Sequence, residues 1–110
     1  MTLTEFESQV FEAAFKSAVC GIPLVRRRMP VSISLRVPLT VGGFVEVFYN
    51  EATGTTAFAV IENDQRVFGA DNTGGWHIHP FNSSTDHLPL PGPTVFTDFL
   101  AHLEAHFSVE

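Results

Sequence analysis

The chain has 110 residues, the common size of one domain and too few for two independent cores. Hydrophobic residues make up 45% and charged residues 16%, with eleven Phe, which excludes a disordered chain because burial can offset the entropy of ordering. Six Lys and Arg against twelve Asp and Glu leave a formal charge of −6, which excludes a surface made for wholesale phosphate neutralisation, so any nucleic-acid contact is local.

From Thr4 to Val19 apolar residues recur at Phe6, Val10, Phe11, Ala14, Phe15 and Ala18, one broad face of a helix. Thr4 and Glu7 have capping-box spacing, and Gly21 and Pro23 stop the helix. Cys20 reads as a small buried thiol at this end; with no partner cysteine it makes no internal disulfide. The lone cysteine, the absence of a spanning apolar run and the lack of a signal-peptide start point to a cytoplasmic chain without membrane contact.

After the run Arg26, Arg27, Arg28, read as a connector, the period changes to two. Val31, Ile33, Leu35 and Val37 alternate with Ser32, Ser34 and Arg36, which predicts a half-buried strand. Phe44 to Tyr49 is the second strand, residues 50–54 a hairpin loop, Thr55 to Ile61 the third strand, 62–64 a tight turn and Arg66 to Gly69 a short fourth. The turn cluster Asp71 to Gly75 precedes the alternating Trp76-His77-Ile78-His79, and Phe81 to Pro93 reads as loop. Thr94 caps a last helix with Phe96, Phe99, Leu100, Leu103 and Phe107 on one stripe. The expectation is a single α+β domain over 1–110: an N-terminal helix, an antiparallel meander of four to five strands, and a C-terminal helix packed on the sheet.

His77 and His79 carry the chemistry most directly, because an alternating backbone sends both imidazoles to one side of the sheet. Two neighbouring rings suit acid–base work on a phosphodiester. Asp71 is the residue to orient a ring, while Arg66 and the Arg26–Arg28 run are the residues to hold phosphate. A second reading makes the pair metal ligands, completed by His87, Asp71 or Asp86; a third leaves both histidines solvated. No spaced cysteine set supports zinc, and no cofactor is expected. His102 and His106, one helical turn apart, read as an ordinary polar flank. Trp76, Tyr49 and the phenylalanines read as core rather than as base-stacking residues.

The segments Gly43 to Tyr49 (GFVEVFY), Val67 to Asn72 (VFGADN), the His-Pro stretch Trp76 to Phe81 and Pro93-Thr94 opening the last helix resemble, in pattern and order, the TumE-like toxins of toxin–antitoxin modules. The likeness covers roughly residues 30 to 107. It implies a growth-inhibiting protein acting on RNA or translation, with a cognate antitoxin as partner and His77, His79 and Asp71 as the matching positions. The family's denser histidine tract is here thinned to His77, His79 and a separate His87. The resulting expectation is a toxin-like, metal-independent endoribonuclease that contacts RNA and forms a homodimer. The alternative is a non-catalytic interaction module of a small cytosolic complex.

Overall fold

The computed structural model describes residues 1–81 and 85–107. Helix α1 spans Leu3–Lys16, and seven strands follow: β1 Leu24–Arg28, β2 Ser32–Pro38, β3 Phe44–Asn50, β4 Thr56–Glu62, β5 Gln65–Asp71, β6 His77–His79 and β7 Leu88–Pro89. Helix α2 spans Phe96–Phe107. The strands form one antiparallel sheet in sequence order, so each strand pairs with its chain neighbour and no crossover is needed. The α+β class and the meander are as the sequence predicts, with more strands.

α1 starts earlier than the spacing of Thr4 and Glu7 predicts. Thr2 is the cap: its hydroxyl accepts from Glu5 N–H at 3.1 Å, and Thr2 N–H donates to the Glu5 carboxylate at 2.8 Å. Hydrogen bonding of the Glu5 carboxyl to the Thr2 backbone first, and then to the Thr2 side chain, holds it below its ordinary value. The helix ends at Lys16 rather than Val19, because Ser17 turns extended and its hydroxyl donates to Glu104 of α2 at 2.7 Å. Within the last turn of the helix the predicted stripe already fails: Phe15 is 90% exposed.

Both helices lie on one face of the sheet. Leu3, Phe6, Val10 and Ala14 of α1 meet Phe96, Phe99, Leu100 and Leu103 of α2 and the inward residues of β2 to β5 in a single core. In β2, β3 and β4 burial alternates residue by residue, as period two requires when one face is covered. Phe58 is the centre, with ring centroids 5.4 Å from Phe96 and 5.1 Å from Phe99. Two turns fix the register. Asn63 and Asp64, both at positive φ, join β4 to β5. Gly43, at φ +76°, passes so close to β4 that a Cβ there would lie 2.5 Å from the Ile61 carbonyl oxygen.

Three expectations are corrected. The Arg26–Arg28 run is not a connector but part of β1, an edge strand bulged between Val25 and Arg27; three long polar side chains hide a strand from a pattern built on alternating apolar residues. The 81–93 loop contains β7, too short for period two to register, and its part over 82–84 lies outside the described residues. α2 begins at Phe96, so Thr94 stands one position outside the cap, and Phe99 N–H donates to the Val95 carbonyl at 3.1 Å. Among the described residues no helix is long and apolar enough to cross a membrane.

Candidate functional site

Phe68 and Ala70 of β5 point into the core, so Gly69 and Asp71, their neighbours in the alternation, face the other side of the sheet. β6 continues the pattern. Ile78 packs on the core while His77 and His79 lie opposite Asp71 and Gly69. All three predicted site residues therefore share the face that carries no helix.

There the Asp71 carboxylate lies between the two rings. Its Oδ1 is 3.1 Å from His77 Nε2 and its Oδ2 is 3.2 Å from His79 Nε2. The opposite nitrogens are anchored to backbone: His77 Nδ1 is 3.0 Å from the Gly75 carbonyl and His79 Nδ1 is 3.1 Å from the Asp86 carbonyl. A carbonyl only accepts, so the network assigns the proton to Nδ1 in both rings. A neutral ring then presents an Nε2 lone pair to an anionic oxygen. That contact is repulsive unless a cation, either protons or a metal ion, stands among the three groups. No nitrogen of either ring is left over to face a substrate.

A third imidazole closes the cluster. The His87 ring centroid lies 4.9 Å from that of His77 and 4.5 Å from that of His79. One nitrogen from each of the three rings falls within 4.8 Å of the others. His79 is 2% exposed and His87 is at the surface, so the group opens outward on one side. Of the three possible completing residues, His87 and Asp71 reach the pair by their side chains, whereas Asp86 reaches it by its carbonyl.

Asn72, next to Asp71, has a separate task. Its side chain accepts from Thr56 N–H at 2.8 Å and donates to the Gly54 carbonyl at 2.8 Å, which locks the end of β5 to β4. Asp71 Oδ1 also accepts from Thr73 N–H at 3.1 Å, an Asx turn that fixes the carboxylate.

Arg66 stays close to this centre, its stem running over Gly69, the residue across from His79. The Arg26–Arg28 run does not. β1 and β5 are four strand spacings apart, roughly 19 Å. Arg28 turns to the helix face, donating to Glu7 at 2.8 Å and to Thr4 at 3.2 Å; Arg26 is exposed at the bulge. The run therefore cannot hold the same phosphate as Arg66.

The remaining polar and aromatic residues divide cleanly. His106 stacks on Phe81 at 3.5 Å and His102 lies against Phe68 at 6.0 Å. Tyr49 is core, stacked on Phe6 at 4.5 Å with its hydroxyl donating to the Met1 carbonyl at 3.0 Å. Trp76 packs on the core beside Phe58. Cys20 is half-buried, and burial pushes its thiol up, away from nucleophilic thiolate.

Sequence reasoning left His87 as a conditional partner because its chain neighbours belong to a two-residue strand. The one available signal was its place just before Leu88-Pro89, where a short strand could return to β6. Comparison with family models, with curated proteins and with solved structures gave no match.

Proposed function

We propose that this chain is a toxin-like protein acting on RNA, and that His77, His79 and His87 hold one divalent transition-metal ion beside Asp71 for phosphodiester cleavage. One observation carries the metal: two rings fixed by Nδ1–H bonds to carbonyls aim their Nε2 lone pairs at one carboxylate. Ligating histidines are held in this way, the far N–H on a backbone carbonyl setting tautomer and ring angle. Ligands about 2.0–2.1 Å from a tetrahedral ion stand about 3.3 Å from one another. One nitrogen from each of His77, His79 and His87 lies within 4.8 Å of the others, so the rings close in by at most about 1.5 Å to reach that edge. The metal reading is preferred to the metal-independent centre expected from the sequence because both nitrogens of His77 and of His79 already have partners in the cluster or on the backbone.

Imidazole suits zinc and its neighbours in the first transition row. An ion held by the three rings would keep a coordination position for water or a phosphoryl oxygen, where it would polarise the phosphoryl group and acidify water. Asp71 stands where that proton would go. Arg66, on the same face, is placed to offset charge that develops on the phosphate. The toxin reading, with a cognate antitoxin as its partner, is supported by the resemblance in motif order.

The test is chelator-stripped protein titrated with Co²⁺. One equivalent is expected to give the visible absorption of a nitrogen-rich site, absent in His79→Ala and His87→Ala. End-labelled RNA should be cut by the loaded protein alone, and Asp71→Asn should bind the ion without cutting. Cleavage that persists undiminished after stripping would falsify the assignment. Co-expression with the adjacent reading frame, scoring growth, tests the antitoxin.

A further inference from the structure

The face that carries the histidines continues across the whole sheet, and three of its cross-strand rows lead toward them. One row runs Arg27, Ser34, Phe48, Ala57, Asp71, His77. The next runs Arg36, Glu46, Ala59, Gly69, His79. The third holds Phe44, Ile61 and Arg66. Directly paired residues share a face, so each row is a path from the edge at β1 or the centre of the sheet toward the candidate metal centre.

Two features distinguish this face from the rest of the chain. The first is aromatic: Phe44 and Phe48 are half-buried and stand apart from the core cluster that takes in the partly buried phenylalanines of the other face. The Arg36 guanidinium lies 4.0 Å over the Phe44 ring, and Ala57, Ala59 and Gly69 keep the floor between Phe48 and the histidines low. The second is charge. Arg27, Arg36 and Arg66 are half of the chain's six Lys and Arg, whereas the three rows hold only Glu46 and Asp71 of its twelve acidic residues. Half of the cations of a protein of net charge −6 thus lie on the face that also carries two half-buried rings and the candidate centre, with Arg36 paired there to Glu46 at 2.7 Å.

We infer that this face is a platform for single-stranded RNA, laid across the strands along the row from Arg27 to His77 with one base stacked on Phe48. Arg27 and Arg66 meet the backbone at either end, and the phosphate beyond Phe48 is delivered to Asp71 and the histidines. The inference deepens the RNA-acting reading and rests on it for the bond that is cut. Phe48 lies two strand spacings from Asp71, roughly 10 Å, and Arg27 two further in the opposite direction. A strand of four or five nucleotides covers that path, within the usual site size of such surfaces. Stacking on rings supplies affinity with little choice of base, while cation contacts make it salt-dependent.

The test separates binding from chemistry by using metal-free protein and a fluorescein-labelled oligouridine of about 10 nucleotides, read by anisotropy. Phe48→Ala should weaken binding about tenfold or more, the loss of one base–ring stack, and Phe48→Tyr should restore it. Arg27→Ala should flatten the salt dependence by about 0.7 in log–log slope, one counterion's worth for a single strand. Phe15→Ala, a change at an exposed ring outside the three rows, should leave binding as it was, and duplex RNA should bind more weakly than the single strand. Wild-type affinity and salt slope in both Phe48→Ala and Arg27→Ala overturn the platform. So does a dimer that Phe48→Ala returns to monomer, since a second copy then covers the face. Oligouridine binding without cleavage by the loaded protein removes the cleavage reading and keeps the platform; cleavage with an unchanged KM in Phe48→Ala does the reverse.

Discussion

The Asn72 amide bridges to the Gly54 carbonyl, donating to it at 2.8 Å across the end of the β4–β5 pair, one residue after the carboxylate that faces the histidines. Its oxygen accepts from Thr56 N–H at 2.8 Å, and Asn72 N–H donates to the Thr56 carbonyl at 3.2 Å. The last turn of the β5 strand is thereby held by side chain as well as ladder. This is the physical content of the adjacent pair Asp71-Asn72: one residue fixes the backbone from which the other reaches the site.

Asn72→Ala is therefore expected to act twice. Losing two part-buried side-chain bonds costs about 1–3 kcal/mol of folding stability, read from urea denaturation of the metal-free protein. The released strand end should also lower ion affinity about 10- to 100-fold, the effect of removing an outer-shell support, read by Co²⁺ titration at a temperature where the variant is folded. A stability loss with unchanged ion affinity would make Asn72 a purely structural residue.

Ion binding should show in stability as well as in spectra. An ion that binds the folded chain at a hundred times its dissociation constant adds about 2.7 kcal/mol, so thermal midpoints should rise with Co²⁺ or Zn²⁺ and fall back with chelator. His77→Ala and His79→Ala should abolish the rise. A midpoint that climbs equally in these variants would place the ion elsewhere, for instance at His106 and its neighbours on α2.

The sequence made the fold and part of the site legible for the same reason: period two is visible wherever one face of a strand is apolar. It places Ile33, Leu35 and Val37 inward and aims His77 and His79 together, as the structure has them. It fails where the side chains are long and charged, as in β1, or where the element is too short, as in β7. His87 enters the cluster through that short strand, and its approach depends on a tertiary return that spacing does not encode. Phe44 and Phe48 mislead for a related reason. Alternation assigns residues to two faces without saying which one the helices cover, and an aromatic residue is taken as inward by default.

Phe58 tests the assignment of the covered face. Its ring, 2% exposed, touches Phe96, Phe99 and Trp76, so Phe58→Ala should cost about 3–5 kcal/mol. Phe48→Ala, on the open face, should cost well under half as much. Urea midpoints of the two variants make the comparison, and equal losses would mean that something covers both faces in solution.

The capping box predicts a pH dependence whose sign follows from Glu5. Hydrogen bonds from the Thr2 backbone and side chain hold its folded carboxyl below the ordinary value of 4.5. A carboxyl depressed on folding adds stability that is present above its unfolded value and is lost as pH falls through the folded one. Wild type should therefore exceed Glu5→Gln in stability at neutral pH, and the gap should close on acidification below 4.5. Thr2→Ala, which removes the hydroxyl that accepts from Glu5 N–H, should cost about 1 kcal/mol, and part of that loss should persist in acid because the Thr2 hydroxyl does not titrate. Urea denaturation of the three proteins from neutral to acid pH reads both effects, and a gap between wild type and Glu5→Gln that widens in acid would contradict the cap.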